Sequence, residues 1–457
     1  METLQRTANR GSISTGYDID NSLKFEPDNA ESILTDNQAS GNQKTWTWSG
    51  WLKRTELGSL QTIFGAGETY IRFDSSDVLQ TSLGGSFVTT NQVFRDTSAW
   101  YHLVWILDTT QATAADRSRI YINGSQITSF SAATYPSQNA DLTVGGTGSS
   151  TNWLQLGRYY AGGRNYAGYI AEVHYLNGTV AEPTEFGEYD SDSGIWIPKE
   201  YTGGGYGTQG YYYKFDNSSD LGEDSSGEGH DASSLINITS ADQATDTPTN
   251  NFCTWNPLWA YQYQPTIKEG ATVAAYGDST DENAKATIGL TNGKWYWEAK
   301  PSGTIGSQYI GISTDGDSNI SSGQGLTQNY QMTIEPQGRY YSYADSLSES
   351  AAGQFTALTT SDTLGIALDM DSATQTIKYY ANGSLILTRD LIAEMQGRTV
   401  FPFLQNYESR TFNINFGGYT INTISSAETD ENGYGTFEYA PPSGYYALCS
   451  KNLAEYG

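Results

Sequence analysis

Apolar and polar positions alternate with a period of two through most of the chain. In Thr45-Trp46-Thr47-Trp48-Ser49-Gly50-Trp51-Leu52, Trp46, Trp48 and Leu52 share one side, which predicts a strand with one face buried. Ser22–Phe25, Leu60–Phe64, Tyr70–Phe73, Tyr101–Leu107, Ile120–Ile122, Trp153–Arg158 and Gly168–Tyr175 read as further short strands. Later in the chain Tyr212–Phe215, Gly293–Glu298, Tyr309–Ile312, Leu364–Asp369 and Phe412–Gly417 do the same. Asn123-Gly124 and Asn382-Gly383 each sit between two such runs. Both residue types tolerate positive φ, so each pair predicts a two-residue hairpin. Helix is predicted only at Leu391–Met395, for one or two turns.

Many short strands punctuated by Gly, Asn, Ser and Asp predict an all-β chain built from two-sheet sandwiches. The Gly-rich run YTGGGYGTQ at 200–208 is the best domain boundary. The expected organisation is a polar lead-in at 1–20, a first sandwich at 21–200, a connector at 201–261, a second sandwich at 262–418 and a tail at 419–457. The tail, FEYAPPSGYYALCSKNL, carries so many large side chains that it is expected to pack back onto a domain.

Composition narrows the function. The 457 residues carry 24 Lys+Arg against 51 Asp+Glu, a net charge of −27, which disfavours nucleic acid and anionic lipid as partners. Charged residues are only 16% and aromatics 13%, the reverse of a disordered acidic tail. Cys253 and Cys449 offer no metal spacing and are expected to be buried free thiols; His102, His174 and His230 form no zinc pattern. METLQRTANRGSISTGYD has no apolar leader and no apolar run approaches a membrane span, so the expectation is a product made in a cytoplasm, without membrane insertion.

Three resemblances emerge. WTWSGWLK at 46–53, WYHLVW at 100–105, RIYING at 119–124, LGR at 156–158 and YIAEVHY at 169–175 resemble the ordered landmarks of laminin-G-like, concanavalin-A-like jelly rolls. KWYWE at 294–298, YIGIS at 309–313, LGIALD at 364–369, IKYYANG at 377–383, FPF at 401–403 and NFG at 415–417 resemble a SPRY domain. FDNSSDLGEDSSGEGHD at 215–231, DTPTNNF at 246–252 and the terminal APPSGYYALCSKNL are similar to segments of virion proteins of marine, cyanophage-like tailed phages. Together they imply a non-enzymatic recognition or structural protein of a virion: a tail fibre, baseplate or surface adhesin. Its expected partners are host glycan, neighbouring virion proteins and further copies of itself.

The residues give no catalytic alternative with a complete motif. Glucanase relatives of the jelly roll carry Glu-x-Asp-x-x-Glu, and both Glu188–Ser193 and Glu428–Gly433 lack the third carboxylate. A polysaccharide depolymerase and a capsid-decoration or tail-assembly part without a host ligand are the alternative functions. No cofactor is expected, and a structural calcium is left open at oxygen-rich loops such as Asp74–Asp77, Asp190–Asp192, Asp220–Asp231 and Asp315–Asp317. Candidate ligand contacts are Arg158, Tyr159, Tyr160, Arg164, Asn165 and Tyr166 in a Tyr/Arg-rich loop between two predicted strands, with Tyr341 and Tyr343 as a second group. Trp46, Trp48, Trp105, Trp295 and Trp297 are expected in the cores; Trp153, Trp196, Trp255 and Trp259 are expected to pack at domain joints.

Overall fold

Strands dominate because the chain offers Gly, Asn and Asp wherever a tight reversal is needed and few strong helix formers between them. The computed structural model describes residues 16–36, 40–147, 152–259, 265–277, 281–314, 330–344, 346–407 and 410–457. The chain divides into two compact units, Met1–Thr249 and Asn250–Gly457.

In the first unit, sheet A runs in the order Ser125–Gln126, Ser118–Ile122, Tyr101–Asp108, Thr45–Arg54, Gly168–Asn177, Ser22–Phe25 and Gln243–Ala244. Tyr211–Tyr213 also pairs with Gly168–Asn177. Sheet B runs Phe130–Ala133, Ser86–Val93, Val78–Leu83, Thr69–Phe73, Gln61–Ala66, Leu154–Leu156, Ser32–Thr35 and Ser234–Ile236. The two sheets share one core: Trp46, Trp48 and Trp105 of sheet A meet Ile63, Phe64, Ile71 and Phe73 of sheet B. The Trp46 and Trp105 rings cross edge to face at 4.7 Å, and Trp48 stacks on Phe64 at 5.6 Å. The predicted Asn-Gly hairpin forms, with φ of 47° at Asn123 and 77° at Gly124.

The segment expected as a connector is woven into these sheets. Its strands Tyr211–Tyr213, Ser234–Ile236 and Gln243–Ala244 pair with strands near the start of the unit or at its centre. Its acids also neutralise buried cations. Lys24, 1% exposed, meets Asp242 at 2.9 Å, and Lys53, fully buried, meets Asp246 at 2.6 Å. An interior ammonium needs a partner, so these acids are placed by the strands they serve.

In the second unit, sheet C runs Thr266–Lys268, Val273–Ala275, Thr411–Asn415, Lys294–Ser302, Leu364–Asp369, Thr376–Ala381 and Ser384–Asp390. Sheet D runs Asp281–Lys285, Val400–Tyr407, Gln308–Thr314, Gln331–Glu335, Arg339–Ala344 and Ser346–Glu349. Trp295, Trp297, Ile366 and Tyr379 of sheet C pack with Ile310, Ile312, Met332 and Ile334 of sheet D. The second Asn-Gly hairpin also forms, with φ of 48° at Asn382 and 77° at Gly383.

The last residues of the chain lie against sheet C of this unit. Tyr446–Ala447 joins sheet C in parallel beside Lys294–Ser302, and a helix, α1 (Ser450–Tyr456), follows. Glu298, 2% exposed, accepts the backbone N–H groups of Glu438 and Tyr439 at 2.8 and 2.9 Å. Asp430 accepts the backbone N–H of Ala447 at 2.9 Å and the Asn452 amide at 2.7 Å. Helix at Leu391–Met395 is not found; that stretch makes turns closed by three-residue bonds, such as Met395 N–H to Ile392 O at 3.0 Å. Cys253 and Cys449 are buried free thiols, the latter pushed up to about 12 by burial.

Candidate functional site

Arg158, Tyr159, Tyr160, Arg164 and Asn165 occupy the loop that carries the chain from Leu154–Leu156 in sheet B to Gly168–Asn177 in sheet A. The reversal is tight: Gly162 N–H donates to Tyr159 O at 2.8 Å, and Gly162, Gly163 and Arg164 all have positive φ. Arg164, at φ 52°, holds the strained position because its carbonyl accepts Thr62 N–H at 2.7 Å and its guanidinium lies over the Tyr159 ring at 4.2 Å.

The result is a compact aromatic cluster closed by one carboxylate. The hydroxyls of Tyr159 and Tyr160 both donate to Oε1 of exposed Glu68, at 3.0 and 2.7 Å. Tyr159 meets Tyr160 at 4.4 Å between ring centroids and Tyr70 edge to face at 5.2 Å. Partial burial, then the hydrogen bonds from its neighbours, raise the Tyr159 phenol above its ordinary range, so it stays a donor. Arg158 is half-buried, with Nε donating to Tyr159 O at 3.4 Å. Asn165 donates to Pro27 O at 3.1 Å.

Two of the expected contacts belong elsewhere. Tyr166 is fully buried, with its hydroxyl on Lys53 O at 3.0 Å and its ring edge against Phe25; it is core, because alternation past the turn points it between the sheets. Tyr341 is 5% exposed and donates to Glu335 at 3.0 Å from the next-to-edge strand of sheet D, so it lies on a sheet face and not in a loop. The side chain of Tyr343 lies outside the described residues.

A second surface feature was not read from the sequence. An open cleft of about 350 Å³ lies beside the first hairpin, lined by Gln92, Ile122, Asn123, Ser125, Gln126 and Ile127. Tyr189, 54% exposed, borders the hairpin with its hydroxyl 3.1 Å from Ser125 Oγ and 3.2 Å from Asn123 O. The only signal was Tyr189 itself, an aromatic among turn residues.

Several other ionisable groups tie the first unit together. Trp196, expected near a domain joint, covers the outer face of sheet A and donates Nε1–H to His102 Nδ1 at 3.0 Å. That fixes the tautomer, leaving Nε2–H to donate to Ser49 Oγ at 2.9 Å. Burial, with His174 nearby, pushes His102 down to about 3. Trp255 is fully buried in the core of the second unit. On the same outer face of sheet A, Glu172 sits at a bulge with φ 52° and accepts the hydroxyls of Tyr17 and Tyr212. Burial alone would raise its carboxyl, but His174 and the two hydroxyls hold it below its usual value.

The oxygen-rich loops spend their carboxylates on turns and ion pairs. Asp74 accepts Ser76 N–H, Asp77 pairs with Arg54 and Arg95, Asp190 accepts Ser193 N–H, and Asp224 accepts Tyr212 and His230 N–H. Asp315 and Asp317 lie outside the described residues. Among the described residues no three His, Cys, Asp or Glu side chains are grouped to hold a metal ion, and no helix is long and apolar enough to cross a membrane.

None of the curated proteins matches the chain. Among solved structures, the crystal structure of the TRIM65 PSpry domain aligns at 12% identity and TM-score 0.27, covering 35% of this chain and 89% of that one. A "putative carbohydrate binding protein" from Bacteroides ovatus aligns at 18% identity and TM-score 0.29, covering 40% of this chain and 52% of that one. Residues 27–184, most of the first sandwich, match the Laminin_G_3 family, described as the concanavalin A-like lectin/glucanases superfamily.

Proposed function

We propose that the chain is a non-catalytic recognition protein of a tailed-phage particle, part of a fibre, baseplate or surface, that binds host glycan or a neighbouring virion protein through its sandwich loops. The observation that carries this reading is the convergence of the Tyr159 and Tyr160 hydroxyls on exposed Glu68, with Arg164 stacked on Tyr159. A ligand meets a platform already held in shape, so it loses little binding energy to ordering the loop. The match of residues 27–184 to the lectin/glucanase superfamily supports a binding role, and the resemblance of the connector and tail to virion proteins supports the particle. Several copies on one particle turn a weak single site into firm attachment.

The test is retention of the intact protein on host cells and on a glycan array, with Tyr160→Ala and Glu68→Ala beside it. Host-specific retention lost in both variants supports the reading. Retention only by other virion proteins moves the function to assembly, and reducing ends released from host polysaccharide move it to depolymerisation.

A further inference from the structure

Ile71 and Phe73 point into the core of the first unit, so alternation sends Tyr70 and Arg72 to the outer face of sheet B. The loop that carries Arg158 and Arg164 folds over that face, where Tyr159 meets Tyr70 edge to face. Three arginines thereby reach one aromatic cluster. The Arg72 guanidinium lies 5.2 Å from the centre of the Tyr70 ring, and that of Arg164 lies 4.2 Å from the centre of the Tyr159 ring. Arg158 joins them through Nε, which donates to Tyr159 O at 3.4 Å.

The fold gives these cations little to answer their charge. Lys24, Lys53 and Arg54 of the same unit each meet a carboxylate, but among the described residues Arg72, Arg158 and Arg164 form no ion pair. Arg72 donates Nε and Nη2 to the neutral Gln80 Oε1 at 3.1 and 2.6 Å, and its Nη1 is buried with no partner. Glu68 is engaged through Oε1 by the Tyr159 and Tyr160 hydroxyls. Asp74, next on the Arg72 face, gives Oδ1 to Ser76 and Val78 N–H at 2.7 and 3.3 Å. Salt screens charges over about 8 Å under physiological conditions, so the −27 of the whole chain reaches this spot weakly.

The chemistry of the cluster restricts its ligand. A guanidinium presents N–H groups in a planar fork that matches the paired oxygens of a carboxylate or a sulfate. The part-exposed rings of Tyr159 and Tyr160 suit the C–H face of a sugar, and Glu68 Oε2 is open to a sugar hydroxyl. A neutral sugar would leave the arginines unanswered, and a small free anion would leave the rings uncovered. We infer that the Tyr159–Glu68 platform takes an anionic saccharide, its carboxylate or sulfate held by Arg158 and Arg164 and its ring laid against the tyrosines. This rests on the recognition reading and names the ligand class of that same site.

The experiment is calorimetric titration of the intact protein with hexagalacturonate, sulfated maltohexaose and plain maltohexaose. It is repeated on Arg158→Gln, Arg164→Gln and Lys199→Gln, with the melting temperature of each variant recorded. At least one of the two anionic hexasaccharides is expected to bind about tenfold or more tightly than maltohexaose, and whichever does so tells carboxylate from sulfate. That binding is expected to weaken about tenfold or more in Arg158→Gln and Arg164→Gln. Lys199→Gln, which removes an exposed cation outside the cluster, should bind as the parent does. Maltohexaose bound as tightly as the anionic pair, or no binding of any of the three, overturns the inference. Host-cell retention lost in Tyr160→Ala and Glu68→Ala would then still uphold the recognition reading. Equal weakening in Lys199→Gln assigns the attraction to charge at large and overturns the inference too. An arginine variant that fails to fold is replaced by Arg72→Gln, held to the same tenfold criterion.

Discussion

The outer faces of sheet A and sheet D are both buried and both polar, and they differ in one respect. On sheet A each polar side chain in the covered patch has a partner from the same unit: Ser49 with His102, His102 with Trp196, His174 with Tyr206 at 2.9 Å, Glu172 with Tyr17 and Tyr212. Phe186, Tyr201 and Tyr206 close over them. On sheet D, Asn283, Gln331, Ser313 and Thr333 stand bare. A satisfied buried network rigidifies a fold, whereas unmet buried groups weaken it. Burial and polarity alone would have scored the two faces alike.

Substitutions separate the faces most sharply. His102→Phe leaves Trp196 Nε1–H and the Ser49 hydroxyl without partners inside the first unit, and is expected to cost about 4 kcal/mol in chemical denaturation. Gln331→Leu strands no partner, and the same measurement is expected to move by less than about 1 kcal/mol, in either direction. Equal losses from the two changes would erase the comparison.

Acidity works on the two units in opposite directions. Burial raises Glu298 in the second unit to about 7, against the N–H donors that favour its charge. Its folded value exceeds its unfolded one, so the stability it confers is complete below pH 4.5 and is lost as pH rises through 7. Glu298→Gln mimics the protonated acid and is expected to gain about 3 kcal/mol on the parent between pH 4 and pH 8. His102 has a depressed value, about 3, so its contribution is complete above pH 6.5 and drains away as pH falls toward 3. Thermal melts of Glu298→Gln and His102→Gln against pH should therefore remove slopes of opposite sign; slopes of one sign would refute the burial argument for one of the two groups.

Smaller effects follow at the tail and the platform. Asp430→Ala removes the acceptor for Ala447 N–H and Asn452 and should cost about 2 kcal/mol, read as faster hydrogen exchange across Tyr446–Tyr456. Glu68→Ala, at an exposed turn, should change stability by less than about 0.5 kcal/mol while abolishing retention on the target surface.

Period-two alternation made the strands legible, from Trp46 and Trp48 to Trp295 and Trp297, and the Asn-Gly pairs made both hairpins legible. Alternation speaks of one strand at a time, so it could not say which faces are covered. Trp196 reaches His102 from 94 residues away, and nothing local to either residue announces the contact. Tyr166 looked like a loop residue because its partners, Phe25 and Lys53, come from strands far back in the chain. Lys24 and Lys53 inside strand patterns were the overlooked clue to the connector, since each buried cation demanded an acid such as Asp242 or Asp246. Glu68 escaped notice for the same reason: its role exists only where Tyr159 and Tyr160 are brought to it.

The most direct test of the central claim, that this chain holds its target without breaking bonds, is incubation of the intact protein with host surface polysaccharide while bound protein and free reducing ends are followed together. The account predicts saturable retention, lost in Glu68→Ala, with no rise in reducing ends. A steady release of reducing ends abolished by changing a single carboxylate would contradict it.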